Sequence, residues 1–414
     1  MTLTQLLTLA IATYTGSHSL IAQTTAFNTG SNGSYGAMNI TTSTTLQLPP
    51  DGVFHCTTVT ISPTANLQFA RNSLNTPVII LATGDVVISG SISLTGKASS
   101  GSGSSGIGGP GGFDGGLGTA DAGSPSGPGS GPGGGSRGVY NEANPSLTSN
   151  GGDASYRTVG GGNAPAAGSG SVYGSSLVIP LVGGSGGGGA QLPGVNVAGA
   201  GYGGGGGGGA ILIASNSRIV FPNSGSNAWV DASGGSGGGV TVGSLGTRYA
   251  GSGCGGAIRL VAPQVTGRVN INVAGGQAGP AKAGRGRFRV DTFDRSGLVF
   301  LLDQPDVIGS VMVAVPSPMP KLSIANAAGT AVAEGAAGPV SVILPTGTSP
   351  NQTIKVRARD FGGVVPIRVR LTPESGDAIT VDAQIDNTVN NPATVDVPVT
   401  LPINTGVNVM VYTR

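Results

Sequence analysis

Charge is what this sequence has least of. Only 9% of its 414 residues are Asp, Glu, Lys or Arg, and they sum to a net charge of +2. So sparse and unclustered a basic content excludes general attraction to nucleic acid or an anionic membrane. Aromatic residues make up 4% of the chain, too few for a broad sugar-stacking surface. Two histidines, His18 and His55, leave little room for Ser-His or Cys-His nucleophilic chemistry. His55 and the adjacent Cys56 are too small a ligand set for zinc, and no metal or other cofactor is expected. Two cysteines, Cys56 and Cys254, cannot build a disulfide framework. They either pair once or stand as two small buried side chains. No run of eighteen apolar residues occurs, so no transmembrane segment is expected, and segments of helical period are missing throughout.

What the chain has instead is glycine. There are 78, of which 61 fall between residues 101 and 300, so one Gly-rich block is flanked by ordinary sequence. Inside and before that block one pattern recurs. Val78–Ala82, Val86–Ile88 and Ile92–Leu94 make a first copy, Ala210–Ala214, Ile219–Phe221 and Val230–Ala232 a second, and Ala257–Val261, Val265–Thr266 and Ile271–Val273 a third. Three short β-type runs per copy, separated by turn residues, are the mark of a β-solenoid in which each unit is one coil. Leu46–Leu48, Val59–Ile61 and Leu67–Phe69 read as an earlier coil, Leu177–Val182 as one further strand, and Arg287–Asp291 as a last return of the repeat.

The runs Gly186–Gly189 and Gly203–Gly209 bury no side chains, so backbone hydrogen bonds alone must offset the entropy of ordering them. Mobile surface loops and extended, polyproline-II-like strands against the solenoid wall are both physically sensible, with runs next to strands ordered. Phosphate-loop, calcium-repeat and collagen readings all fail. No Gly-x-Gly-x-x-Gly opens a helix, Gly stands where the calcium nonapeptide needs Asp, and glycine keeps no strict period of three in the sequence.

Leu6–Ala12 is a short apolar core and Ala22 a small residue before Gln23, as in an export signal over residues 1–22. The usual basic start is missing, since the first Lys or Arg is Arg71. Residues 23–300 then form the Gly-rich solenoid and residues 301–414 a separate domain. Ile354–Arg359, Ile367–Leu371, Ile379–Ala383, Val395–Leu401 and Val407–Val411 alternate with period two, and Ser310–Val315, Lys321–Ile324 and Val340–Leu344 add apolar runs. That is the pattern of an immunoglobulin-like β-sandwich.

Two places carry candidate chemistry. Asp291 and Asp294 could be a carboxylate pair of a polysaccharide lyase or hydrolase, or could cap the last coil and pair with nearby arginines. Lys355, Arg357 and Arg359 share one strand face, and Arg368 and Arg370 share the next. If those strands pair as a hairpin, five cations line one surface suited to acidic polysaccharide or lipid headgroups. Otherwise they form a solvated face balanced by Asp360, Glu374 and Asp382.

Asn75–Val86 with its central Val-Ile-Ile-Leu-Ala, the glycine run into Ala210–Ala214, Gly255–Ala262 and Gly286–Asp291 resemble Gly-rich exported proteins of environmental bacteria. The likeness covers roughly residues 27–300. It implies a secreted or cell-surface, right-handed parallel β-helix of the pectin-lyase-like kind and brings no catalytic residues with it. The expectation is an all-β protein, a right-handed parallel β-helix with long Gly-rich loops followed by the sandwich. It would be a non-enzymatic structural or adhesive protein outside a bacterial cell, with itself or surface polysaccharide as partner.

Overall fold

Short β-branched runs broken by Gly, Asn and Pro corners cannot bury an apolar face alone, so successive runs must stack. In the computed structural model they do. The structure describes residues 27–101, 103–119, 124–140, 150–161, 168–191, 202–222, 228–241, 247–336 and 338–413. The expected export signal, residues 1–22, lies outside them. All regular elements among the described residues are β, and the large sheet is parallel.

Three columns of parallel strands run through that sheet. The first stacks the start of Val53–Ile61 on Val78–Ala82, Ala210–Ser215, Ala257–Val261, Arg287–Asp291 and Val307–Gly309. A second stacks Gly36–Ile40, the end of Val53–Ile61, Val86–Ile88, Arg218–Phe221 and the start of Gln264–Asn272. The third holds Thr44–Gln47, Asn66–Ala70, Ser91–Ser93, Ala228–Asp231, the end of Gln264–Asn272 and Val299–Phe300. This arrangement fits a three-faced β-helix. Register puts like on like: Val78, Ile211, Ile258 and Phe288 form one inward ladder, and Ile80, Ile213, Leu260 and Val290 the next. All eight are fully buried in one core.

The 110-residue excursion after Leu94 is the largest of three that leave at one corner. Chain departs at Leu94–Gly96, Ala232–Gly234 and Val273–Gly275, and returns at Gly207–Gly209, Gly255–Gly256 and Gly284–Gly286. Beyond that corner the two facing walls touch directly, as in Gly209 N–H to Leu94 O at 2.7 Å, Gly256 to Ala232 at 2.7 Å and Gly286 to Val273 at 2.7 Å. The glycine runs extend this contact into a layer. Along Gly204–Gly209 every amide donates and every carbonyl accepts, and the direction repeats every third residue. Gly204 and Gly207 donate to Gly116 and Phe113, Gly205 and Gly208 to Gly251 and Cys254, Gly206 and Gly209 to Lys97 and Leu94. In return Gly106 and Gly109 donate to Gly204 and Gly207, and Gly187 and Gly184 to Gly205 and Gly208.

A period of three with no hydrogen bonds inside the segment is polyproline-II geometry, and it turns the backbone polar groups toward several neighbours in rotation. Such neighbours can come close only where Cβ is missing. A Cβ on Gly207 would sit on the carbonyl of Gly184, and one on Gly204 on that of Gly187. Among the described residues these runs are therefore an ordered, hydrogen-bonded layer rather than free loops.

Outward side chains of the first column are covered too, apolar in the earlier strands and joined by Arg259, Arg289 and Asp291 in the later ones, so Val78–Ala82 and Ala257–Val261 are buried at every position. Ile79, Leu81, Leu212, Ala214 and Val261 are covered by Leu181 and by Met312, Ala314 and Val315. Segment 310–315, read from sequence as a strand, instead straps across this face. Leu177–Val182 is likewise not a strand, and Val340–Leu344 contains none. The parallel column runs on to Val307–Gly309, past the expected boundary at residue 300.

The C-terminal region holds two antiparallel sheets. One contains Thr330–Ala331, Lys321–Ala327, Asn351–Arg359 and Ala393–Thr400, the other Ile379–Asp386, Val364–Pro373 and Val407–Thr413. Ile354, Val356 and Ala358 of the first meet Ile367, Val369 and Leu371 of the second in one apolar cluster. This region docks on the glycine layer through Arg137–Asp377 at 2.9 Å, Gly376 N–H to Ser126 O at 3.2 Å, and Arg370 to the Gly129 carbonyl at 3.1 Å.

Because overpacking a closed interior costs about 1–3 kcal/mol, Gly207→Ala should destabilise the chain by roughly that amount. Gly101→Ala, whose Cβ meets nothing within 4 Å, should stay within about 0.5 kcal/mol of the parent in denaturant unfolding.

Candidate functional site

The sequence-predicted cationic surface does not assemble. Asn351–Arg359 and Val364–Pro373 belong to different sheets, because the corner at Asp360 and Gly362, both at positive φ, carries the chain from one antiparallel sheet to the other instead of closing a hairpin. Each cation is also engaged. Arg357 and Arg359 both reach Glu334, at 3.0 and 2.8 Å. Lys355 lies 3.5 Å from Asp396 and Arg368 2.6 Å from Asp382. Arg370 is buried against glycine carbonyls, and that burial lowers its basicity.

Asp291 and Asp294 fare the same way. Asp291 is fully buried on the strap-covered face. It accepts from Arg289 at 2.7 and 2.8 Å, from Arg259 at 3.0 Å and from Val311 N–H at 3.0 Å. Arg259 also donates to the Ala314 and Val311 carbonyls and Arg289 to that of Ser176, so the triad fastens the strap. Burial alone would raise the Asp291 carboxyl, but the two guanidiniums outweigh it and hold the group below the usual carboxylate range. Asp294 accepts from Ser296 and Gln264, which also lowers it. Of the expected alternative, Asp291 shows the pairing with arginines, while the column continues beyond it to Val307–Gly309 instead of being capped there.

Cys56 and Cys254 are free and buried, in separate cores, so the pairing considered from sequence is not made. Burial pushes the Cys56 thiol up to about 11 and the Cys254 thiol up to about 12. His55 accepts at Nδ1 from Asn32 N–H at 3.4 Å. Among the described residues no three His, Cys, Asp or Glu gather as metal ligands, and no helix is long and apolar enough to cross a membrane, which says nothing of strands. A shallow cleft of about 430 Å³ at the last coil is lined by Arg295, Leu298, Val299, Phe300, Gln304 and Ile308, without a carboxylate for acid–base work.

Polar groups do converge along one edge of the glycine layer, where the sequence showed only isolated residues. Tyr156 stacks on Tyr173, centroids 4.3 Å apart, and Arg287 lies 5.6 Å over the Tyr156 ring. Their hydroxyls donate to Val182 and Gly183 carbonyls, fixing both rings. Beside them Arg157 meets Asp306 at 2.7 Å and Arg285 meets Asp303 at 2.7 Å. Burial raises the Asp306 carboxyl in spite of the opposing charges of Arg157, Arg287 and Arg285. Farther out, the Tyr202 ring lies on Gly238, and the Tyr249 ring is packed between Gly239 and Gly279. Exposed Lys282 sits on that same turn, paired with Gln277. The usable signal was period three: Lys282 and Arg285 share a side only if the glycine segment is polyproline-II.

Removing one partner of a buried ion group leaves uncompensated charge, so Asp291→Asn should cost about 3–5 kcal/mol in unfolding. Because the folded pKa is depressed, the parent's contribution is full above the unfolded value near 4 and fades as pH falls through the lower folded value. The variant should lack that acid dependence. Neither thiol should react with Ellman's reagent in the native chain, and both should react after denaturation.

No protein-family model, no curated protein and no solved structure matches this chain, so its function is read from its own residues.

Proposed function

We propose that the chain is a non-enzymatic structural and adhesive protein of the bacterial exterior, secreted or held at the cell surface. In this reading a right-handed parallel β-helix and an immunoglobulin-like sandwich frame a rigid plate. One observation carries it: the Gly204–Gly209 and Gly183–Gly189 runs form a wall of saturated backbone in which Ser185 is the one side chain, and its hydroxyl is engaged by Gly133 and Tyr173. The carboxylates Asp291 and Glu334 fasten elements together instead of lining a cleft. That use of charge favours a structural role over a lyase or hydrolase at Asp291 and Asp294. The scattered and neutralised cations of the sandwich likewise weaken it as the site for acidic polysaccharide. The low charge, the export-like N-terminus and the resemblance to exported Gly-rich proteins support an external location.

Assembly is part of the proposal, because the strands at the two ends of the columns, Gly36–Ile40 and Val307–Gly309, each pair on one side only among the described residues. Protease added to intact producing cells should remove the chain, and light scattering should show mass rising with concentration. Protection inside the cell would overturn the location, and a strict monomer at high concentration would overturn assembly.

A further inference from the structure

The hydrogen-bond register of the glycine layer decides where its side chains can go. Ala190 N–H donates to Tyr202, Gly238 to Gly203, Gly138 to Gly189 and Gly151 to Tyr249. These pairings bring Gln191, Tyr202, Gly238, Tyr249 and Gly138 to the end of the layer away from the coils. Inside the layer a side chain has no room. At this distal end Tyr202 and Tyr249 find it beside glycine, and side chains held on a rigid scaffold are the usual setting of a binding surface.

Chemistry there is specific. Tyr202 and Tyr249 lie over consecutive glycines of one hairpin, Gly238 and Gly239, so both rings rest on bare backbone and stay half-exposed. Against Tyr249 lies the turn Gln277–Lys282. Lys282 and Arg248 face no carboxylate among the described residues, and the Arg248 Nε is buried with no partner. From Lys282 the basic character continues inward. Gly161 donates to the Lys282 carbonyl and Arg157 to that of Arg285, so Lys282 and Arg285 project on one side, roughly 9 Å apart at three residues of polyproline-II rise. Arg157 lies on the neighbouring segment, with Asp303 and Asp306 holding the two arginines and Asp153 buried behind them. Half-exposed rings beside Lys282 and Arg248, with the carboxylate-held Arg285 and Arg157 beyond them, match a chain ligand bearing pyranose faces and negative charge.

We infer that the distal edge formed by Tyr202, Tyr249, Arg248, Lys282, Arg285 and Arg157 binds an acidic polysaccharide lying along the glycine layer. This deepens the adhesive reading and moves its contact surface from the sandwich to the layer. Retention of the full chain on polygalacturonate, dextran sulfate, neutral dextran and double-stranded DNA tests it. The expected result is salt-sensitive retention by the carboxylated or sulfated polymer, little by neutral dextran, and clearly weaker retention by DNA. Lys282→Glu, at an exposed turn, should weaken that binding about tenfold with an unchanged melting temperature, and Tyr202→Ala should weaken it as well. Arg359→Ala, in the sandwich, should leave it intact. Unchanged binding by Lys282→Glu, loss through Arg359→Ala, equal retention of DNA, or no retention on either acidic polymer would overturn the assignment. A surface-exposed chain that fails to bind removes only this site, whereas a chain held inside the cell removes the adhesive reading even if it binds in solution.

Discussion

Backbone-to-backbone hydrogen bonding in the glycine layer is the constraint on which the rest of the structure depends. Fixing a residue costs about 1–2 kcal/mol of conformational entropy, and glycine loses the most freedom of all. A run such as Gly203–Gly209 has no apolar side chain to offset that cost. Its compensation comes from saturation: each amide and carbonyl of Gly204–Gly209 is paired, to neighbours arranged around it with period three. Saturation requires close approach, and close approach requires glycine. Composition, geometry and packing are thus one fact seen at three levels.

The coils make the layer possible. Ladders of Val78, Ile211, Ile258 and Phe288 hold successive turns in register, so the excursions leave and return at a common corner with matched spacing. The strap at 310–315 closes the outer face, fastened by the buried Arg259–Asp291–Arg289 group. Its burial carries a desolvation penalty, which the added carbonyl partners of Ala314, Val311 and Ser176 help to offset. Docking of the two antiparallel sheets on Gly129 and Ser126 then covers a side of the layer that would otherwise expose carbonyls.

Much of this architecture was legible in the sequence. The triple runs at Val78, Ala210 and Ala257 located the strands of the large parallel sheet, since each copy of the repeat supplies one strand to each column. The period-two runs after residue 350 located the antiparallel strands. What could not be read was decided by partners distant in sequence. Arg357 and Arg368 alternate as a hairpin would, yet the corner at Asp360 sends them to opposite sheets. Asp291 looks the same in sequence whether it faces solvent or two arginines. Ser310–Val315 is apolar because it covers a sheet, not because it joins one. Tyr202 comes to lie on Gly238, and Tyr249 on Gly239 and Gly279, through the glycine register, which no local pattern reveals.

The most direct measurement of the central claim is native-state amide hydrogen exchange along the two glycine runs. Exchange occurs only when a hydrogen bond opens, so a packed layer and a set of mobile loops differ by orders of magnitude in rate. Amides of Gly204–Gly209 and Gly184–Gly189 should be protected as strongly as those of Val78–Ala82 and be released with them on unfolding. Exchange of those glycines at the rate of an unstructured chain, while Val78–Ala82 stays protected, would contradict the account.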